Sequence, residues 1–346
     1  MKKKMTVFVL IWIIALCSFS WIRPTFTPAI PGKSSIASLE GIELGGMEQW
    51  ILIRGQDVSN PVLLWLHGGP GAAQMAIARS FNKALEQSFL VVQWDQRGAG
   101  KSNPSDFDES TMTFEQYLQD AHELTLYLKI RFGQDKIYLV GHSWGSQLGI
   151  RLAQMYPQDY YAYIGVSQVI NGRRAQEIGY AWLLERAKAG GKMVEFEALE
   201  EPPFIDHKDF VRFIQQIDEY GGSFDTSFWK LARITLRAPE YNLRDVLAWL
   251  RGSNRGSGPM WSSPEYQSFD ARRDIPRLEI PVYFFSGRKD YNTPLVLVET
   301  YFEILDAPRG KHMVVFEASA HTPFLAEAEK FNQELIRVKR ETYQLE

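Results

Sequence analysis

The sequence predicts an α/β class fold, a mostly parallel sheet with helices on both faces, interrupted by a helical insertion. Three observations carry this. Short apolar runs alternate with segments of helical spacing between Pro61 and Val166. The alternation stops between Ile170 and Pro276, where helical stretches rich in aromatic residues and paired charges follow one another without a convincing strand. It resumes at Pro281.

The elements follow in chain order. Met1-Lys2-Lys3-Lys4 is positively charged, and Met5 to Cys17 is almost wholly apolar, the pattern of a segment directed to a membrane. Residues 1–22 are expected to act as a signal peptide, for which Ser18-Phe19-Ser20 offers a small-x-small cleavage site, or to remain as a membrane anchor. Lipid attachment at Cys17 is disfavoured, because Leu16 stands where a small residue is wanted. Lysines before the apolar run hold the N-terminus in the cytoplasm, so the body is expected to be extracytoplasmic, secreted or anchored. Cys17 is the sole cysteine, so the body has no disulfide and relies on its core.

Residues 23–34 hold several prolines and no periodicity and are expected to be a linker. Core segments 35–169 and 277–346 flank a cap at 170–276. Strands are expected at Leu39–Leu44, Gln49–Arg54 and Pro61–Leu66, the last apolar on both faces, then at Phe89–Trp94, Lys136–Val140 and Tyr161–Val166. Helices are expected at Thr113–Phe132 and Trp144–Met155, the second stopped by Pro157. Cap helices include Glu177–Ala189, Lys208–Tyr220 and Ser227–Ile234. The strand Pro281–Ser286, a helix around Val296–Leu305, the strand Met313–Phe316 and a final helix Pro323–Arg340 complete the chain.

A composition of 45% hydrophobic residues and a net charge of −3 describe a globular protein with a sizeable core and no electrostatic case for a nucleic-acid partner. The chemistry lies in two glycine-rich turns. Gly141-His142-Ser143-Trp144-Gly145 matches G-x-S-x-G and sits directly after an expected strand and before an expected helix. A serine hydroxyl is a weak nucleophile, so it must stand at the tip of a tight turn where a base reaches it. His67-Gly68-Gly69-Pro70-Gly71 follows another buried strand. Acyl transfer builds negative charge on a carbonyl oxygen, and backbone N–H groups of Gly68 or Gly69 and of Trp144 are candidates to receive it.

A base for Ser143 must come from six histidines. His67 and His142 belong to the turns and His122 lies in a helix, whereas His321 sits in a loop between the last strand and the last helix. That is where the third member of a Ser…Asp…His order belongs. The acid should follow the preceding strand, and Asp290 does, with Asp306 as runner-up. Gly98-Ala99-Gly100-Lys101-Ser102 is no phosphate loop: the pattern needs glycine at Asp95, and Pro104 interrupts the required helix. Asp95-Gln96-Arg97-Gly98 reads instead as a turn bracing the active-site loops.

His67-Gly68-Gly69-Pro70-Gly71, Asp95-Gln96-Arg97-Gly98-Ala99-Gly100-Lys101-Ser102 and Gly141-His142-Ser143-Trp144-Gly145-Ser146 together resemble the prolyl iminopeptidase family of α/β-hydrolases. The resemblance covers about Leu39 to Val166 and Ile280 to the C-terminus. It implies the α/β-hydrolase fold, with about eight strands and a helical cap, no metal or cofactor, and release of an N-terminal residue, typically proline, from a peptide. In that family cap glutamates hold the substrate amine, and Glu177, Glu185 and Glu201 are the candidates here. The alternative substrate is a small ester or amide, as for a carboxylesterase or amidase. A binding protein that keeps the fold without catalysis is the reading from another class.

Overall fold

In a computed structural model, residues 23–190, 201–204, 207–255 and 257–343 are described. An eight-stranded sheet runs in the order β1-β2-β4-β3-β5-β6-β7-β8. Its strands are β1 (Ile36–Leu44), β2 (Met47–Gly55), β3 (Val62–Leu66), β4 (Leu90–Asp95), β5 (Ile137–His142), β6 (Tyr160–Val166), β7 (Val282–Gly287) and β8 (Lys311–Phe316). The hairpin of β1 and β2 is antiparallel and pairs antiparallel with β4, and the remaining neighbours are parallel.

The strand β3 shows why its sequence is apolar at every position. Val62, Leu64 and Leu66 enter the core on one face of the sheet, while Leu63 and Trp65 enter the core on the other. Side chains alternate along a strand, so burial on both faces demands an unbroken apolar run. The first core is covered by α1 (Phe114–Phe132) and α2 (Trp144–Met155). Thr113 caps α1 by accepting from the Gln116 amide, and Gly133 closes it at φ 61°.

Between β6 and β7 lie α3 (Gly172–Gly190), α4 (His207–Glu219), α5 (Phe228–Arg237) and α6 (Leu243–Arg255). After β7 come α7 (Leu295–Ile304) and α8 (Ala328–Thr342). The cap has its own small core, in which Leu183, Phe204, Phe213 and Ile217 pack together.

Two sequence expectations differ from the structure. The final helix is split into a short turn, Pro323–Ala326, and α8, because Glu327 leaves the helical conformation. Its carboxylate turns back to accept from Ser319 Oγ at 2.6 Å and from the Ala318 amide at 3.1 Å, which ties the helix start to the loop before it. Residues 23–27 of the expected linker are bonded along residues 238–242 of the cap: Arg23 donates to the Tyr241 carbonyl at 2.7 Å, and the Phe26 amide to the Pro239 carbonyl at 3.1 Å. Proline content and missing periodicity do not distinguish a free linker from a docked one. Residues 1–22, on which the signal or anchor expectation falls, lie outside the described residues.

Candidate active site

Ser143 stands between the end of β5 and the start of α2, with φ 53° and ψ −120°. A non-glycine residue in that region is strained, and the surrounding packing must hold it there. The turn closes only because its flanks carry no side chains. A Cβ on Gly141 would lie 2.3 Å from the Gly145 carbonyl oxygen, and one on Gly145 would lie 2.2 Å from that of Leu66. Both obstacles are backbone and cannot swing aside. The two glycines of the motif are thus steric requirements of the approach between β3, β5 and α2.

The Ser143 hydroxyl lies 2.9 Å from His321 Nε2. On the other side of the ring, His321 Nδ1 lies 2.9 Å from Asp290 Oδ2. Nδ1–H donates to the carboxylate, which leaves Nε2 as an acceptor for the serine proton. The aspartate is itself fixed: Oδ1 accepts from the Asn292 and Thr293 amides at 2.9 and 2.8 Å, and Oδ2 from Thr293 Oγ1 at 2.6 Å. Asp290 and His321 are 2% exposed, so their interaction is little screened by water. Asp306 is exposed and pairs with Arg277.

The backbone of His321 is held from several elements at once. Its amide donates to the Ser223 carbonyl at 2.7 Å, and its carbonyl accepts from His142 Nε2 at 3.0 Å and from Ser167 Oγ at 2.9 Å. On either side, the Asp225 carboxylate accepts from the Ala320 amide at 2.7 Å, the Thr322 amide at 2.9 Å and Thr322 Oγ1 at 3.0 Å. Asp225 belongs to the turn between α4 and α5, so the cap contributes directly to the placement of the histidine. Sequence reasoning missed it, since nothing local links Asp225 to a loop more than ninety residues later.

The two histidines of the glycine-rich turns are structural. Burial pushes His67 down to about 4, and burial followed by the neighbouring His321 pushes His142 well below the usual imidazole range. Both are neutral with assigned roles: His67 Nδ1 donates to the Gly68 carbonyl and Nε2 accepts from the Gln96 amide, while His142 Nδ1 accepts from Gln74 and Nε2 donates to the His321 carbonyl. Gln96 ties the turns together, since its side chain donates to the His67 carbonyl at 3.1 Å and accepts from Trp144 Nε1 at 3.1 Å. Arg97 forms a buried ion pair with Asp120 at 2.8 Å. Asp95 is fully buried and raised to about 7, chiefly by desolvation, while the Tyr241 hydroxyl of the cap donates to it.

A cavity opens over Ser143, lined by Gly69, Trp144, Gln147, Arg173, Trp261 and Tyr266 among others. Gln147 is 1% exposed, yet its Nε2 has no partner among the described residues. Gly69 and Trp144 border this space, and a Cβ on Gly68 would lie 3.2 Å from that of Ser143. Glu177, Glu185 and Glu201 do not line it. Glu177 pairs with Arg174 at 2.5 Å, Glu185 is exposed, and Glu201 is exposed beside Tyr180, whose phenol it helps to raise after burial. The structure thus places these three candidates for the substrate amine outside the described lining of this cavity, on the exposed side of the cap. Among the described residues no cluster of three or more His, Cys, Asp or Glu side chains could hold a metal ion, and no helix is long and apolar enough to cross a membrane.

The family model described as alpha/beta hydrolase fold matches residues 61–328. The chain is similar to the Probable aminopeptidase YbaC of Bacillus subtilis (strain 168), with 34% identity over 319 residues, 90% of this chain and 99% of that protein. Among solved structures it is similar to a proline iminopeptidase of Mycobacterium smegmatis, with TM-score 0.63, 18% identity, and 88% and 98% of the two chains covered. It is also similar to the esterase EaEST of Exiguobacterium antarcticum, with TM-score 0.59, 20% identity, and 86% and 98% covered.

Proposed function

The chain belongs to the α/β-hydrolase fold family, and on that premise we propose that it is a serine hydrolase with Ser143 as nucleophile, His321 as general base and Asp290 as the orienting acid. The observation that carries this reading is the hydrogen-bonded line from Ser143 Oγ through His321 to Asp290, with 2.9 Å at each step. Ser143 Oγ attacks a carbonyl carbon and passes its proton to His321 Nε2, and Asp290 stabilises the imidazolium without itself taking the proton. The amides of Gly69, or Gly68, and Trp144 receive the developing oxyanion. The imidazolium then protonates the leaving group, and water, deprotonated by the same histidine, releases the acyl group from Ser143.

For the substrate we propose a peptide from which an N-terminal residue, proline by preference, is released. The aminopeptidase name of the Bacillus subtilis relative and its coverage of nearly the whole chain support this. The cavity favours a second reading. Its described lining is mostly amide and aromatic with Arg173, which suits the acyl part of a small ester or amide as well as a peptide. Prolyl anilide and short p-nitrophenyl esters, assayed beside Ser143→Ala, separate the two. Anilide turnover lost in Ser143→Ala is the expected result; ester turnover without anilide turnover rejects the aminopeptidase. Absence of both, with no labelling of Ser143 by a fluorophosphonate, rejects the hydrolase reading in favour of a binding protein. For localisation we propose an extracytoplasmic body delivered or held by residues 1–22, and the intact mass of the exported protein distinguishes cleavage from retention.

A further inference from the structure

We propose that the outer face of α5 lies on a phospholipid bilayer surface, at the place where the N-terminal segment joins the body. The inference rests on the reading of residues 1–22 as membrane-directed. Leu231 and Ile234 turn the inner side of α5 to the core. The outer side carries Trp229, 79% exposed, and Leu236, 58% exposed, and Phe228 at its start is 54% exposed. Positions 229, 233 and 236 share one stripe of a helix, so Trp229, Arg233 and Leu236 face the same way, with Lys230 and Arg237 on the adjoining edge. Lys230, Arg233 and Arg237 form no ion pair among the described residues. Exposed cations around exposed tryptophan and aliphatic side chains are the chemistry of a helix that lies in the headgroup region: the aromatic ring sits at the interface and the cations meet anionic phospholipid.

The end of the chain outside the described residues decides the occupant. Arg23, the first described residue, donates to the carbonyls of Ala238 and Tyr241 at 3.3 and 2.7 Å, and Asn242 donates back to the Arg23 carbonyl at 3.3 Å. Phe26 is bonded through its amide to Pro239 and is itself 56% exposed. The chain therefore enters the described body at Arg23, beside the residues that follow α5, and the exposed Phe26 ring belongs to the same stretch. A membrane-directed segment that precedes Arg23 would keep the C-terminal end of α5 close to the lipid. The other end of α5 adjoins the active site: Phe228 stacks on Trp249, whose Nε1 donates to the Ala73 carbonyl at 2.9 Å, and Phe224 lies edge-on to the His321 ring.

The test uses the full chain carrying Cys17→Ser, with a single cysteine at Trp229→Cys, Leu236→Cys or, as control, Ile130→Cys on α1, which is 82% exposed in the parent. Each is labelled with an environment-sensitive fluorophore and measured in mild detergent and in vesicles of phosphatidylglycerol and phosphatidylethanolamine, with phosphatidylcholine vesicles for comparison. The expected result is co-flotation with vesicles, a blue shift and a severalfold loss of quenching by aqueous iodide at 229 and 236, no change at 130, and a stronger effect in the anionic vesicles. Flotation with 229 still open to iodide overturns the surface and leaves the anchor standing. Absence of flotation overturns both. Protection at 229 in detergent together with a dimer on gel filtration also overturns the proposal, because a second copy of the chain is then the cover.

Discussion

Replacing Asp225 by Asn tests whether the cap sets the position of His321. The carboxylate accepts from the Ala320 amide through Oδ1 and from the Thr322 amide and hydroxyl through Oδ2, one residue to either side of His321. Asparagine has the same shape but a single acceptor oxygen, so one of the two loop amides faces an NH2 group and loses its partner. A hydrogen bond to a charged group contributes about 1.5–3 kcal/mol and a neutral one about 0.5–1.5 kcal/mol. The substitution removes the charge from all these bonds and abolishes at least one, which costs the loop about 2–4 kcal/mol of its hold. Remaining anchors, the Ser223 and His142 bonds to the His321 backbone, keep the loop near its place, so only part of this reaches the reaction. The expected fall in kcat is about 10- to 100-fold, or roughly 1.4–2.7 kcal/mol, since small misplacements of a reacting group have effects of this order. KM should stay nearly constant, because Asp225 does not line the cavity. The assay is steady-state hydrolysis of whichever ester or anilide proves to be a substrate, with the downfield proton resonance of His321 Nδ1–H as an independent readout. A full kcat with an unchanged resonance would refute the argument even if the melting temperature fell, since that would leave Asp225 a purely structural role.

Further predictions concern neighbouring groups. Asp95 is raised from 3.8 to about 7 by burial, so the folded state holds a proton that the unfolded chain releases. The penalty is absent below about pH 4, grows as pH rises toward 7, and is complete above it, reaching as much as about 4 kcal/mol. Asp95→Asn should therefore gain stability over the parent as pH rises from 5 to 8, and parallel melting curves across that range would reject the assignment. Gln147→Leu removes a buried donor with no partner among the described residues; it should leave stability unchanged or raise it by about 1 kcal/mol while raising KM severalfold for carbonyl-bearing substrates. An unchanged KM would remove Gln147 from the substrate contacts. Gly145→Ala places a methyl against the Leu66 carbonyl and should cost about 3 kcal/mol or more, whereas Gly258→Ala, with nothing within 4 Å, should be nearly silent in thermal melts. Equal effects at the two glycines would contradict the steric account of the turn.

What was legible in the sequence follows from how local each signal is. The strand β3 could be read because burial on both faces leaves no polar position, and the Ser143 turn because its glycines are required by contacts within a few residues and with the adjacent strand. The acid and the base could be sought from chain order alone, since each was expected in the loop after a late strand. The cap gave no comparable handle. Its helices α3 and α4 could be read in outline, but charge could not tell a carboxylate facing a cavity from one facing water, and Glu177, Glu185 and Glu201 face water or surface partners. Gln147 was hidden for the opposite reason: it sits in α2 among residues that read as core, and only the cavity beside it shows its amide to lack a partner.

Asp225 and Tyr241 show a more general limit and give it a function. Both lie in the cap, and each bonds a loop or strand end of the core far away in sequence: Asp225 the His321 loop, Tyr241 the buried Asp95 at the end of β4. Lys101 adds an ion pair with Asp245 of α6 at 2.8 Å. These polar groups join the cap to the core beside apolar contacts, in which Ala238, Tyr241 and Val246 pack with Leu52, Met75 and Ala76 and the inner side of α5 packs on the core. A displacement of the cap would leave Asp95, Lys101 and the His321 loop without these partners, and stranding a buried polar group costs about 1–3 kcal/mol, more than the net worth of the bond it made. The cap and the histidine geometry should therefore respond together, so that substitutions at Tyr241, remote from the reacting atoms, change kcat through the same displacement that Asp225→Asn produces directly.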